Sequence, residues 1–147
     1  MPTFPAPILR DFATQLFHAV GVPLDDARLI AISLVESNLR GHDSHGIMRV
    51  VEYIGQLASG ELRTNVELEI LSETPSLIHG DAHRGFGQIQ CHRLVELVAE
   101  KARHTGIACG TLRNCGHVGR LGEWVEQAAR HGLAGLISVN DNGVAYT

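Results

Sequence analysis

The sequence predicts an α/β protein with a helical layer in front, and three observations carry that prediction. Over residues 1–62, apolar side chains recur at helical spacing between glycine stops. The period then drops to two, with Val66, Leu68 and Ile70 alternating with polar residues. Beyond that, two units echo each other: Lys101-Ala102-Arg103-His104-Thr105-Gly106-Ile107-Ala108 and Ala128-Ala129-Arg130-His131-Gly132-Leu133-Ala134. Each reads as a helix with a basic end, a glycine stop and a strand.

The elements follow in order. Pro5 and Pro7 suit a first helical turn, and Ile8, Phe12, Leu16 and Val20 recur before Gly21. After Pro23, Asp25 and Asp26 favour the positive end of a second helix whose apolar residues are Ala27, Ile30, Ala31, Leu34 and Val35. A third helix is expected over 44–59, closed by Gly60. Two strands joined by a turn at Pro75-Ser76 come next, the second at Leu77-Ile78-His79. A helix over 86–104 leads to a strand over 107–112, and a shorter helix over 121–130 leads to a further unit over 133–139. Asp141-Asn142-Gly143 is a turn signal, and only four residues follow it. A sheet of about four strands would keep an unprotected edge, so the rest of the domain is expected to be missing.

Composition narrows the class. The 147 residues are 44% hydrophobic, enough for a core, and carry a net charge of -4 with scattered cations. That gives no footprint for nucleic acid or an anionic membrane, and small molecules are the expected partners. No apolar run approaches the roughly 20 residues of a membrane span, and no secretory signal is evident, so a soluble cytoplasmic protein is expected. Cys91, Cys109 and Cys115 lack metal-finger spacing and read as free thiols, with Cys109 buried in a strand.

The chemistry concentrates in two segments. In Gly41-His42-Asp43-Ser44-His45-Gly46, followed by Arg49 and Tyr53, a helix starting near Ser44 would put His45, Arg49 and Tyr53 on one outward face. Val50, Val51, Ile54, Leu57 and Ala58 would then pack inward. Periodicity alone favours a solvated polar face. The entrance adds the case for a site: Asp43 or Ser44 can cap the helix, Arg49 can hold a carboxylate in a fork, and His45 can exchange a proton with a hydroxyl. His42 would only shape the loop.

The second segment, Arg113-Asn114-Cys115-Gly116-His117-Val118-Gly119-Arg120-Leu121-Gly122, joins a strand to a helix. Gly116, Gly119 and Gly122 would permit close approach by a cofactor. A plain glycine-rich connection with a capping histidine fits equally, and His117 gains weight through partnership with His45. Gly80-Asp81-Ala82-His83-Arg84-Gly85-Phe86-Gly87 lacks the third glycine of a dinucleotide fingerprint, having Gln90 there, so a Rossmann site is disfavoured. His42 with His45, and His79 with His83, have no evident third metal ligand; a metal-dependent hydrolase is a lesser alternative.

Leu39 through Gly46, with Arg49 and Tyr53, and Asn114 through Gly122 together resemble the malate/L-lactate dehydrogenase family, which includes ureidoglycolate, sulfolactate and hydroxycarboxylate dehydrogenases and imine reductases. Cys115 and Gly116 depart from its usual pattern. The resemblance implies hydride transfer between NAD or NADP and a small 2-hydroxy or 2-oxo acid, on a nicotinamide-binding α/β fold that is not Rossmann. It implies Ser44, His45 and His117 as catalytic residues, Arg49 on the substrate carboxylate and Tyr53 bordering the substrate pocket. Cofactor contacts would come from His45, His117, Val118, Gly119, Arg120 and Leu121, with Arg120 equally suited to solvent.

On this reading residues 1–62 form a helical segment with the substrate motif, and 63–147 part of the nicotinamide-binding domain. Family members are considerably longer and draw cofactor and relay residues from downstream segments. The chain therefore resembles an amino-terminal portion, with weak or absent activity expected alone. A homodimer or other homo-oligomer is expected, and a non-catalytic oligomerisation or assembly fragment is the alternative.

Overall fold

The structure, a computed structural model, describes residues 3–140. The first two helices form where the spacing places them, as α1 (Ala6–Ala19) and α2 (Leu24–Leu39). Pro5 and Pro23 precede them in extended backbone, and Asp25 and Asp26 occupy the first turn of α2. Their facing sides bury Ala13 and Phe17 against Ala27, Ile30, Ala31 and Leu34. Each large apolar side chain removed from water this way contributes roughly 1.5–3 kcal/mol.

The third helix is shorter than expected. Asp43–His45 forms one 3-10 turn, and α3 begins only at Arg49, running Arg49–Ser59. The break has a tertiary cause. The Asn38 side chain of α2 accepts a hydrogen bond from the Ile47 amide at 2.8 Å and donates to Asp43, and it fills the space a Cβ on Gly46 would need. Asn38 thereby replaces the intrahelical bonding that a continuous helix would use. Neither Asp43 nor Ser44 caps α3, and the helix has turned relative to expectation: Val50 and Tyr53 are buried, whereas Val51 is 81% exposed and Ala58 is exposed.

A hairpin follows, β1 (Glu69–Glu73) antiparallel to β2 (Leu77–Asp81), closed by Thr74 on either side of the turn. Helix α4 (Gly87–Thr105) then crosses to β3 (Cys109–Arg113), which pairs parallel to β2. The last helix is α5 (Leu121–Arg130). Gly110 lets α4 sit close on β3, since a Cβ there would lie 2.6 Å from Val98 Cγ2.

Among the described residues the sheet has three strands in the order β1-β2-β3, not about four. Residues 133–139 form no strand: they lack a paired edge, and Leu136 is fully exposed. Cys109 is in a strand but exposed, because strand alternation turns Gly110 and Leu112 towards α4 and Cys109 away. The expected turn at Asp141-Asn142-Gly143 lies outside the described residues. One core cluster joins Phe17, Leu34, Val50 and Tyr53 of the helical layer to Leu62, Phe86 and Ile89, carrying the start of α4 up to the helices.

Candidate active site

The site lies where the turn before α3 meets the loop between β3 and α5. The imidazole rings of His45 and His117 face each other with centroids 5.1 Å apart. Ser44 Oγ lies 2.9 Å from His45 Nδ1, and His42 stands edge-on behind it with ring centroids 6.4 Å apart. Burial, then the Arg49 guanidinium, then His42, hold His45 below the ordinary imidazole value of 6.5. It is neutral near pH 7.

Arg49 opens α3 and stitches it to the turn. Its Nε donates to the Ser44 carbonyl at 2.6 Å and its Nη1 to Glu52 at 2.6 Å. One edge of the guanidinium is thus spent on a backbone carbonyl and Nη1 on a carboxylate of the chain itself.

Tyr53 departs most from expectation. Its side chain is not on the outward face but packs among Phe17 and Phe86, with ring centroids 6.4 and 5.9 Å away. At 1% exposure it does not line a substrate pocket directly; it reaches the site through its hydroxyl, 2.7 Å from His117 Nδ1. Gln88, fully buried in the first turn of α4, donates from Nε2 to that hydroxyl at 2.8 Å. Burial pushes the Tyr53 phenol up to about 12, so it remains an O–H group throughout the working range. Gln88 was not singled out in sequence, although a glutamine inside an otherwise apolar helix face is the kind of signal that marks a buried polar role.

The His117 loop is locked from below. A Cβ on Gly87 would come within 2.4 Å of the Gly116 and His117 carbonyl oxygens, and the Gly116 amide donates to the Gly85 carbonyl at 3.0 Å. The Gly116 side is filled by Leu62 and the Gly122 side by Arg120. These two glycines serve contact between parts of the chain rather than leaving an open cradle. Gly119, at φ 74°, turns the loop towards α5, and its amide lies 3.4 Å from His117 Nδ1. Trp124 Nε1 holds the Val118 carbonyl at 3.0 Å, and Leu121, half-buried, begins α5. Arg120 is buried, not in solvent, and forms a two-pronged pair with Glu126, both bonds 3.0 Å.

A second anchor sits one step earlier. Asp81, at the end of β2, accepts from the His83 amide, Arg113 Nε and Asn114 Nδ2 at 2.8, 2.7 and 2.9 Å. These bonds, the His83 amide first, hold its carboxyl down at about 2. The end of β3, from which the chain runs through Asn114 and Cys115 to His117, is thus tied to the neighbouring strand. His79 pairs with Thr111 and His83 with Glu69, away from the imidazole pair. Among the described residues no three potential metal ligands come together.

A helical layer sealed onto a β-α-β unit brings two imidazoles and a guanidinium together at the seam, groups whose chemistry allows proton exchange and pairing with an anion. The family model described as malate/L-lactate dehydrogenase matches residues 4–146, and the chain belongs to that family. It is 36% identical to hydroxycarboxylate dehydrogenase B of Escherichia coli, over 96% of this chain and 39% of the relative. It is 34% identical to malate dehydrogenase of Pyrococcus abyssi, over 90% of this chain and 36% of the relative. The solved malate dehydrogenase from Pyrococcus horikoshii OT3 superposes with a TM-score of 0.87 at 33% identity, covering 89% of this chain and 38% of that one. The chain thus spans well under half the length of these relatives.

Proposed function

We propose that the chain supplies the substrate-binding and proton-transfer part of an NAD- or NADP-dependent oxidoreductase interconverting small 2-hydroxy and 2-oxo acids. The observation that carries this reading is the convergence of His45 and His117, 5.1 Å apart, beside the Arg49 guanidinium. The names of the relatives, hydroxycarboxylate and malate dehydrogenases, support it.

Arg49 receives the substrate carboxylate by exchanging it for Glu52. His45, held neutral, takes the hydroxyl proton or returns it, with Ser44 Oγ against Nδ1 continuing the relay. His117 closes the opposite side, oriented from below by Tyr53.

The donor set fits the reacting end of a nicotinamide cofactor: His45 and His117 would flank that ring, with Val118, Gly119 and Leu121 along the same loop. The described residues hold no open phosphate cradle, since Leu62 fills the space at Gly116, and Arg120 reaches a phosphate only by leaving Glu126. When bound, the cofactor exchanges a hydride with the substrate carbon. Titration of the full chain with NADH and NADPH, then turnover on pyruvate, oxaloacetate and related acids, tests the proposal. Absence of binding at millimolar cofactor overturns autonomous function.

A second reading, assembly with another copy or with a carboxy-terminal portion, is favoured by one observation. Phe4, Ile8 and Phe12 stand four residues apart at one end of the helical layer, each more than half exposed. Light scattering on the purified chain tests it, and a soluble monomer argues against self-association. No helix among the described residues is long and apolar enough to cross a membrane, and a cytoplasmic location is part of the proposal.

A further inference from the structure

We infer that Gln88 is a positioning residue which, through Tyr53, sets the tautomer of His117 so that Nδ1 accepts and the ring proton resides on Nε2. The inference rests on the proposed role of His117 and deepens it. Gln88 reaches the site through the Tyr53 hydroxyl from its place in the first turn of α4. Its side chain is fully buried, its Nε2 is spent on the Tyr53 hydroxyl at 2.8 Å, and its Oε1 is buried with no hydrogen-bond partner.

The direction of the chain follows from its donors. An amide N–H can only donate, so the phenol oxygen accepts from Gln88; with the Gly119 amide also aimed at His117 Nδ1, that nitrogen is an acceptor and the phenol hydrogen is turned to it, 2.7 Å away. The Gly119 amide points at the same nitrogen from 3.4 Å. Two donors converging on Nδ1 require a lone pair there, which places the proton of a neutral ring on Nε2. The phenol, held at about 12, does not surrender its proton, so the chain orients and does not conduct. A neutral imidazole so held acts at Nε2 as a hydrogen-bond donor, suited to an oxygen that gains negative charge. Abstraction of a hydroxyl proton then falls to His45 with Ser44.

The test is tautomer-resolved nitrogen NMR of the full-length chain with isotope-labelled histidine, in mildly alkaline buffer, with His117 assigned from His117→Asn. Exposed His92 is the internal reference. His117 is expected to favour Nε2–H about tenfold more strongly than His92 does, the scale of one net hydrogen bond. Gln88→Met and Tyr53→Phe should each bring that ratio down towards the reference. In the unmodified chain, a cross-peak from the Gln88 side-chain N–H to the Tyr53 hydroxyl should show the amide nitrogen facing the phenol, which keeps the inference testable even if Gln88→Met does not fold. An Nδ1–H ring, an amide oxygen facing the phenol, or an unchanged ratio in both folded variants overturns it. None of these readouts requires cofactor, so failure to bind NADH or NADPH with the NMR result intact would remove the hydride-transfer reading alone.

Discussion

The two sides of the imidazole pair are built differently. On the His45 side the polar contacts are near-surface: Arg49 with Glu52, Ser44 with His45 and Asn38 with Asp43. On the His117 side they are buried, with Gln88 and Tyr53 beneath the ring and Gly87 pressed against the loop backbone. Exposed ion pairs contribute about 0–1 kcal/mol and exchange readily with water or ligand. Buried hydrogen bonds cost about 1–3 kcal/mol when one partner is lost. One side can therefore trade its partners, for the substrate under the proposed function, while the other is a fixed surface opposite it.

The sharpest way to break that contrast is Gly87→Ala. Its methyl group would meet the Gly116 and His117 carbonyl oxygens at 2.4 Å, backbone that has little room to yield. We expect a loss of about 3 kcal/mol in urea unfolding, with the His117 loop displaced. Tyr53→Phe comes next, at about 2 kcal/mol, because it leaves the buried Gln88 amide without its acceptor while the ring packing survives. On the other side, the pH dependence should point to His45. A depressed imidazole pKa means that the folded state binds fewer protons than the unfolded chain. Stability associated with His45 is thus full above pH 6.5 and declines as the pH falls through that value. His45→Gln should flatten this segment of a stability-versus-pH curve. The smallest effect is expected from Glu52→Gln, within about 0.5 kcal/mol in stability. By freeing the Arg49 fork it should tighten binding of a small 2-oxo acid about two- to fivefold in a calorimetric titration.

The same contrast separates what was legible in the sequence from what was not. Helices α1, α2, α4 and α5 and the strands β2 and β3 follow from local period and from glycine stops such as Gly106, which ends α4 in the left-handed conformation at φ 82°; β1 does not, since it begins only at Glu69, past Val66 and Leu68 of the alternating run, and is exposed along its whole length. The pairing of His45 with His117 was reachable from motif resemblance. The start of α3 was not, because Asn38, nine residues before Ile47, interrupts the helix through its side chain. That shift moves Tyr53 from an outward face into the core. Gln88 meets the site through the Tyr53 hydroxyl and lies far from both histidines in sequence, so no local pattern connects it to them. Arg120 shows the same limit: a lone arginine in a glycine-rich loop gives no local sign that Glu126 holds it from the next helical turns. Likewise the residues 133–139 carry an apolar strand-like pattern but find no paired edge among the described residues, since pairing is a property of two segments.

By itself the sequence determined the α/β class, most element boundaries and the family, because periodicity, stop residues and short motifs are local and survive translation into a string. Only the tertiary structure decided that Tyr53 is buried beneath His117, that Gln88 supports it, that Arg49 is already engaged by a carboxylate and that Gly87 and Gly116 lock the loop. Those facts depend on side chains meeting across the core, where a hydrogen bond or a missing Cβ acts between residues that no local pattern connects.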